Sequence, residues 1–349
     1  MKIEVYSPTI RRKEMDAVLT AMVEDRIGPG EQGRLLVQTA KESLGFDYCL
    51  TLRSPATALF LALKALQLED GKGVIVSALS PRYYAQVIED LRLKPVYCDV
   101  SGASACIDQE TIKAAISTHA DVDVRCIALH HTLGFLPDMP ALIEMGLSVI
   151  DDCSRSYGSL PVEGSGVFSI LGLEERDMLT AGGGALLYAA NRRDGAVLRT
   201  FGEIPPEYSL PDMNAAMAVI QFKEAAKNLE KRKEIAQVYT QSALRTRHKR
   251  FILRDDGDAG TDQQTAAYNN YAFPLILETG MKDVKAYAKR YEIAVESAFD
   301  DTLIAAGIVP SELCPESYSL SLRTALFPLY PRLGSAEIEK VAKLIVTLP

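Results

Sequence analysis

The feature that most constrains the fold is a regular alternation of short apolar strands and helices in the first half of the chain. The predicted strands cover residues 48–52, 74–78, 94–99, 124–130 and 147–152, and each is followed by a predicted helix or turn. Strands rich in Val, Ile and Leu that alternate with helices are typical of a parallel sheet covered on both faces. The sequence therefore predicts an α/β fold, whose ligands bind at the carboxyl ends of the strands.

The pattern changes after residue 188. A long helix is predicted over residues 210–229, with a charged continuation to Tyr239, and residues 254–268 are polar and predicted to be flexible. The remaining predicted elements are a strand at 270–277, a helix at 281–291, a strand-like run at 323–330 and a terminal helix at 335–347. We therefore predict a large α/β domain over residues 1–225 and a smaller α+β domain over residues 226–349.

Composition excludes several classes of protein. The 349 residues carry a net charge of −8, which argues against a nucleic-acid or anionic-membrane partner. The first residues lack the apolar core of a signal peptide, and no apolar run reaches the roughly 18 residues of a membrane span. Six scattered cysteines without a C-x-x-C pair indicate reduced core thiols, with no metal site. We expect a cytoplasmic protein.

Two features are expected at the carboxyl edge of the sheet. The turn Arg53-Ser-Pro-Ala-Thr57 lies between a strand and a helix, where free backbone N–H groups can hold a phosphate. The alternative is a plain helix start capped by Ser54 or Thr57. Asp152 ends the strand 147–152 and falls on the same edge.

A second pair of strands is predicted at residues 167–171 and 185–188. A charged loop, Glu174-Glu175-Arg176-Asp177, and three glycines, Gly182 to Gly184, separate them. This is the pattern of two strands joined by a tight loop that ends in glycine.

The order of these segments resembles the DegT/DnrJ/EryC1/StrS family of sugar aminotransferases, which are fold-type I enzymes dependent on pyridoxal phosphate. The segments that carry the resemblance are Arg53-Ser-Pro-Ala-Thr-Ala-Leu, His130-His-Thr-Leu-Gly-Phe-Leu-Pro-Asp-Met, Val149-Ile-Asp-Asp-Cys-Ser-Arg-Ser-Tyr-Gly, Phe168-Ser-Ile, Gly183-Gly-Ala-Leu-Leu and Pro211-Asp-Met-Asn-Ala-Ala-Met-Ala. The resemblance implies a mostly parallel seven-stranded sheet in the large domain, a small C-terminal α+β domain and a homodimer. It also implies pyridoxal or pyridoxamine phosphate as cofactor and a nucleotide-linked sugar as substrate.

The same resemblance implies roles for individual residues. Asp152 would pair with the pyridine nitrogen of the cofactor, so that the ring acts as an electron sink. Arg155 stands in place of a glutamine near the ring hydroxyl, and Tyr157 in place of a histidine. The residues that would face the cofactor phosphate are Ser54, Ala56, Thr57 and Ser169.

The chain departs from the family where the chemistry is expected. Counting back from Gly183 places Arg176 at the position of the catalytic lysine, and counting forward from Ser169 places Glu174 there. No lysine occurs between Lys113 and Lys223, and an arginine stays protonated and is no nucleophile.

Some relatives carry a histidine at the lysine position and act as dehydratases, but no histidine occurs between His131 and His248. Pro55 removes an N–H donor from the phosphate turn. Pro81 replaces the aromatic residue that stacks on the ring, with Tyr83 and Tyr84 nearby as replacements.

Two hypotheses follow. The first is a non-catalytic family member that acts as a binding or regulatory protein or as a partner subunit. Arg155, Arg176 and Tyr157 would then form a site for an anionic small molecule, with a solvated loop charge as the alternative for Arg176. The second is an enzyme that still uses pyridoxal or pyridoxamine phosphate, as an aminotransferase or a dehydratase, without a covalent lysine.

Overall fold

The structure is a computed structural model that describes residues 2–159, 166–252 and 268–349. Its helices are α1 (Arg12–Val23), α2 (Glu31–Leu44), α3 (Pro55–Ala65), α4 (Tyr83–Asp90), α5 (Gln109–Thr118), α6 (Met139–Ile143), α7 (Arg192–Arg199), α8 (Asp212–Ala243), α9 (Met281–Arg290), α10 (Pro315–Arg323) and α11 (Ser335–Val346). Its strands are β1 (Tyr48–Leu52), β2 (Gly73–Ser77), β3 (Lys94–Cys98), β4 (Val124–His130), β5 (Ser148–Asp152), β6 (Phe168–Gly172), β7 (Ala185–Ala189), β8 (Phe273–Ile276), β9 (Glu296–Ser297) and β10 (Thr324–Phe327).

Seven strands form one sheet in the order β1-β7-β6-β5-β4-β2-β3. The strands from β6 to β3 in this order run parallel, and β7 pairs antiparallel with both β6 and β1. The fold predicted from the sequence, a mostly parallel seven-stranded sheet of the α/β class, is confirmed. The register pairs His130 with Asp152 and Asp152 with Ile170, so β4, β5 and β6 end together at one edge.

Both faces of this sheet are buried, as its continuous apolar strands require. One core packs the sheet against α3, α4 and α5, and a second core packs the opposite face against α2 and α8. A third core surrounds a small antiparallel sheet, in the order β8-β10-β9, which is covered by α9 and α11. The small sheet accounts for the predicted α+β character of the C-terminal part.

The long helix α8 connects these parts. It runs unbroken for 32 residues, so the charged segment after residue 229 continues the predicted helix. The domain boundary that we place at residue 225 falls inside α8 and stays a prediction. Residues 254–267 of the polar stretch expected to be flexible lie outside the described residues.

The sequence analysis missed three elements, α7, α10 and β9. Each has few buried side chains: only Gly195 and Leu198 are buried in α7, and only Ser317 and Leu320 in α10. Both helices are also short, with 8 and 9 residues, so each offers only about two turns of pattern in the sequence.

All six cysteines are free and buried, as predicted for reduced core thiols. Within the described ranges no helix is long and apolar enough to cross a membrane. The same ranges contain no group of three or more His, Cys, Asp or Glu side chains arranged to hold a metal ion.

Candidate functional site

The buried carboxylate of Asp152 lies at the centre of the carboxyl edge. Its side chain is almost fully buried, with 1% exposure. Oδ2 accepts hydrogen bonds from Tyr84 Oη at 2.6 Å and from His130 Nδ1 at 3.3 Å. Oδ1 accepts from the Ser154 backbone N–H at 3.1 Å and from the Ser154 hydroxyl. A carboxylate offers about four lone-pair sites, so donors of the protein occupy the whole group. We call Tyr84, His130, Asp152 and Ser154 the Asp152 cluster.

These donors keep Asp152 ionised. Burial alone would raise the pKa of its carboxyl, but the hydrogen bonds from His130, Ser154 and Tyr84 hold that pKa well below the usual range. Burial lowers the pKa of His130, which therefore stays neutral and donates through Nδ1. The Tyr84 phenol keeps its proton, because burial and the charge of Asp152 raise its pKa well above the ordinary value.

Tyr84 is held in place by the turn that precedes α4. Leu303 N donates to Ser80 O at 3.0 Å, and Pro81 forms a β-bridge with Thr302. The Tyr84 ring packs at 4.9 Å from the Tyr83 ring. The contacts of Ser80 and Pro81 with residues 302–303, together with the Tyr83 ring, thus hold the Tyr84 hydroxyl towards Asp152.

The turn at residues 53–57, which resembles the phosphate-binding turn of the family, forms the start of α3. Ser54 Oγ accepts a hydrogen bond from Thr57 N at 3.1 Å and lies 3.0 Å from Thr57 Oγ1. This is the capping arrangement given as the alternative in the sequence analysis. Pro55 is the first helical residue and Ala56 the second, so the structure brings Ser54, Ala56 and Thr57 together, with both hydroxyls engaged within the turn.

Two of the predicted cofactor contacts face the other side of the sheet. Ile170 is the partner of Asp152 across the sheet, and side chains alternate along β6, so Ser169 points to the opposite face. There its hydroxyl hydrogen-bonds with Tyr188. The ring of Tyr157 packs edge-on against Phe222 at 5.6 Å, within the core between the sheet and α8. The structure does not bring Ser169 or Tyr157 to the Asp152 cluster.

The β6–β7 loop, residues 173–184, contains both candidates for the lysine position. Arg176 forms an ion pair with Glu296 at 2.7 Å and lies over the Tyr6 ring at 5.8 Å, in an exposed position. The Glu174 carboxylate is also exposed and accepts a hydrogen bond from the Gly184 backbone. Arg176 is therefore an exposed, ion-paired side chain of this loop.

The glycines at the end of this loop have a structural role. Gly182, Gly183 and Gly184 adopt φ values of 71°, 145° and 117°, which L side chains rarely adopt. A Cβ atom added to Gly184 would collide with Leu210 Cδ1 and lie 3.4 Å from Leu52 O. The glycines thus let the loop close against the segment that leads into α8.

Asp177 is the loop residue that turns inward, and the sequence analysis assigned it no role. Its Oδ2 accepts a hydrogen bond from Glu174 N at 2.8 Å. A Cβ atom added to Gly172 would collide with Asp177 Oδ2 and lie 2.8 Å from Ser154 Oγ and 3.1 Å from Pro55 Cγ. The Asp177 carboxyl, Ser154 of the Asp152 cluster and Pro55 at the start of α3 therefore all lie around Gly172.

The surroundings of Asp177 weaken its acidity. Burial raises the pKa of its carboxyl to about 7, and the charge of Asp152 acts in the same direction. The hydrogen bond from Glu174 N and the nearby Arg155 act against this rise. Asp177 is consequently a carboxyl that changes its charge near neutral pH.

Arg155 supplies the positive charge of the site. Its half-buried guanidinium lies over the Tyr271 ring at 5.5 Å, and its carbonyl oxygen accepts from Asn269 Nδ2 at 2.7 Å. Burial would lower the pKa of the guanidinium, but Tyr271, Asp177, Asp152 and Tyr83 raise it. Among the described residues, no carboxylate lies within 4.0 Å of the Arg155 nitrogens and no acceptor takes a hydrogen bond from them.

Comparison with known proteins gives sequence relatives over much of the chain. The chain is 27% identical over 282 residues to an L-glutamine:2-deoxy-scyllo-inosose aminotransferase from Streptomyces lividus. This match covers 72% of the chain and 64% of the relative, so it spans less than two thirds of the relative's own length.

Solved structures show the same fold at low identity. An aminotransferase from Psychrobacter cryohalolentis superposes with a TM-score of 0.85 at 17% identity, covering 97% of this chain and 96% of the other. A GDP-4-keto-6-deoxy-D-mannose-3-dehydratase from E. coli, with bound hydrated pyridoxal phosphate, superposes with a TM-score of 0.81 at 14% identity, covering 99% of both chains.

A sequence model of one family matches most of the chain. The matched residues are 8–170 and 189–346, and they leave out 171–188, which include the β6–β7 loop. These two stretches cover β1 to β5, the start of β6, the Asp152 cluster and the small C-terminal sheet. The chain belongs to the DegT/DnrJ/EryC1/StrS aminotransferase family.

Proposed function

We propose that this chain is a non-catalytic member of the family, which acts as a binding or regulatory protein or as a partner subunit. The observation that carries the proposal is the hydrogen bond from Tyr84 Oη to Asp152 Oδ2 at 2.6 Å. In the family, the acid at this position pairs with the pyridine nitrogen of the cofactor. Here a phenol of the chain takes that place, and the other lone pairs of Asp152 are used by His130 and Ser154.

The phosphate end of the site supports the same proposal. The Ser54 and Thr57 hydroxyls bond within their own turn, and Pro55 has no N–H to offer. The Asp177 carboxyl and Pro55 both lie next to Gly172, and the carboxyl in its ionised form would repel a phosphate there. The residues present therefore do not fit pyridoxal phosphate or pyridoxamine phosphate.

The missing nucleophile is the third support. The β6–β7 loop contains no lysine, and none occurs between Lys113 and Lys223. The nearest candidates, Glu174 and Arg176, have partners at the surface. A guanidinium stays protonated at physiological pH and cannot form a Schiff base.

The alternative is an aminotransferase or dehydratase that uses pyridoxal or pyridoxamine phosphate without a covalent lysine. One observation favours it: Asp152 is retained at the end of β5 as an ionised carboxylate. For a cofactor to reach that carboxylate, Tyr84 would first have to leave it.

The two functions are separated by titrating the purified chain with pyridoxal phosphate and pyridoxamine phosphate. We expect no change in the absorbance of either cofactor, and no rise in melting temperature beyond that given by inorganic phosphate at the same concentration. A ligand of the native state must stabilise it, so an additional rise with either cofactor would support the alternative. Tyr84→Phe, which frees one lone pair of Asp152, is the informative variant for the same titration.

We further propose a homodimer in the cytoplasm. Along α1, the side chains of Met15, Leu19, Met22 and Val23 are exposed at helical spacing, on the face turned away from α8. Charges of both signs surround this stripe, including the pairs Arg12–Asp16 and Arg26–Glu31. An exposed apolar stripe with a charged rim suits an interface between two copies of the chain. The cytoplasmic assignment rests on the acidic composition and the free cysteines.

A further inference from the structure

The guanidinium of Arg155 is a positive charge at the centre of the site without an acceptor among the described residues. The Tyr271 ring centroid lies 5.5 Å from the guanidinium carbon, and the guanidinium N–H groups are available to donate to a ligand. The other cations of this region are engaged: Arg176 pairs with Glu296, and Arg232 donates to carbonyl oxygens of Tyr271 and Leu329. Arg155 is thus equipped to take a ligand.

We propose that Arg155 binds a small oxyanion, a carboxylate or a phosphate ester, in the place that a cofactor would occupy in the family. This inference rests on the proposed function, because the site is free for another ligand only if no cofactor fills it. A planar guanidinium matches the two oxygens of such a group with two parallel N–H donors. The Tyr271 ring, with its centroid 5.5 Å from the guanidinium carbon, gives a cation–π contact that favours the guanidinium at this place.

Nearby charges determine which ligands can enter. From β5, Asp152 faces Arg155, but its charge is taken up by the donors of the Asp152 cluster. From the β6–β7 loop, the Asp177 carboxyl faces Arg155, and the exposed Glu174 carboxylate acts on Asp177. Tyr83, whose pKa is raised well above the usual value by burial, and the ring of Tyr271 complete the surroundings. Asp177 is therefore the one residue of this set that competes directly with an incoming anion.

Because Asp177 gains a proton near neutral pH, anion binding at Arg155 should depend on pH. When Asp177 is protonated, the repulsion disappears and its hydroxyl becomes a donor. Binding should then be tighter at pH 6 than at pH 8. Replacement of Asp177 by Asn should make binding at pH 8 about tenfold tighter and remove most of the pH dependence.

The test uses the full chain with sulfate and acetate, two oxyanions whose charge does not change between pH 6 and pH 8. Dissociation constants come from calorimetric titrations at constant ionic strength. Tighter sulfate binding would indicate a phosphate-bearing ligand, and tighter acetate binding would indicate a carboxylate. We expect Arg155→Gln to weaken binding of the preferred probe about tenfold or more.

The matched control is Arg199→Gln. Arg199 also lies over a tyrosine ring, that of Tyr48 at 4.8 Å, but it pairs with Asp47 at 2.7 Å. Its replacement should leave the affinity unchanged. Equal losses in Arg155→Gln and Arg199→Gln, or no binding of either probe by the unmodified chain, would overturn the inference.

Asp177→Asn keeps the test decisive if Arg155→Gln does not fold. An affinity at pH 8 equal to that of the unmodified chain would also count against the site. These results are independent of the cofactor titration, because neither probe carries a pyridine ring. A spectral change with pyridoxal phosphate would contradict the proposed function, whereas absent sulfate and acetate binding would contradict only this inference.

Discussion

Tyr84 Oη lies 2.6 Å from Asp152 Oδ2 and joins the start of α4 to the carboxyl end of β5. Both side chains are 1% exposed, so the bond is formed out of reach of bulk water. The donor is neutral and the acceptor is charged, which is the combination that makes a short and strong hydrogen bond. A contact of this kind between helix α4 and strand β5 of the large sheet contributes to the fold as well as closing the site.

Replacement of Tyr84 by Phe should destabilise the chain by about 1–3 kcal/mol, because Asp152 loses a charge-assisted hydrogen bond while the ring is retained. Urea denaturation at pH 7 measures the change. The folded-state pKa of Asp152 lies below its unfolded value, so this stabilisation is present above pH ~4 and is lost as the pH falls. The variant should therefore lose less stability than the unmodified chain on acidification.

Tyr287→Phe is the control for this change. Its hydroxyl lies 3.2 Å from that of Tyr291 at an exposed position. Its removal should alter the free energy of unfolding by less than about 0.5 kcal/mol. Equal effects of the two substitutions would show that the bond to Asp152 has no special strength.

Asp177→Asn should stabilise the chain, and the gain should be larger at pH 8 than at pH 5. Burial raises the folded-state pKa of this carboxyl to about 7, above its unfolded value. Between these two values the folded state binds more protons than the unfolded state, so stability falls as the pH rises. The asparagine removes this loss and can still accept the bond from Glu174 N.

We expect a gain of about 1–2 kcal/mol at pH 8, which is less than the full shift implies because the side chain is partly exposed. Thermal denaturation as a function of pH measures it. The exposed Asp121 provides the matched control, because Asp121→Asn also removes one carboxylate but at a surface position, and it should not reproduce the gain. A parallel profile for Asp177→Asn and the unmodified chain would contradict the prediction.

Leu19→Glu should convert the proposed dimer into a monomer. Leu19 is 57% exposed in the middle of the apolar stripe on α1, and a charge there would be buried without a partner in the interface. Sedimentation velocity at micromolar concentration distinguishes the two states. Leu244→Glu is the control, because Leu244 is 69% exposed at the far end of α8 and should not affect assembly. A monomeric unmodified chain would contradict the dimer itself.

Arg232→Met should destabilise the chain by about 3 kcal/mol or more. The buried guanidinium of Arg232 donates to Tyr271 O at 2.9 Å, Leu329 O at 3.1 Å and Asn270 O at 3.4 Å. Its loss leaves buried carbonyl oxygens without donors, each of which costs free energy. Urea denaturation provides the measurement.

The neighbouring Lys231 serves as the control for Arg232. It pairs with Glu234 at an exposed position, so Lys231→Met should change stability by less than about 1 kcal/mol. Because Tyr271 supports Arg155, Arg232→Met should also weaken oxyanion binding where the variant folds. Unaltered stability would mean that water replaces the guanidinium.

The sequence predicted most of the large sheet because buried parallel strands and their helices leave strong periodic patterns. It also placed Asp152 and the Ser54 turn on one edge, since strand ends of a parallel sheet meet there. Ser169 was predicted for the same site, but alternation along β6 directs it to the opposite face. The register between β5 and β6, which decides that face, cannot be read from either strand alone.

The contacts that close the site were beyond the sequence for a different reason. Tyr83 and Tyr84 are adjacent and chemically identical, and only the packing of α4 decides which of them reaches Asp152. In the same way, Glu174, Arg176 and Asp177 share one short loop, and the closure of that loop decides which side chain turns inward. The direction of a loop side chain depends on tertiary contacts that no local pattern reports.

The three glycines of the β6–β7 loop are typical of the family, but their role in this chain is structural and does not require a cofactor. Only glycine fits at position 184, because Leu210 approaches closely and the backbone angle is one that other residues rarely adopt. Selection for a well-closed hairpin would thus retain it whether or not a cofactor is used. Glycines of this kind therefore indicate the shape of the loop and give no information on activity. To identify active enzymes in the family, the residue that contacts the aspartate at the end of β5, here Tyr84, is more informative than these glycines.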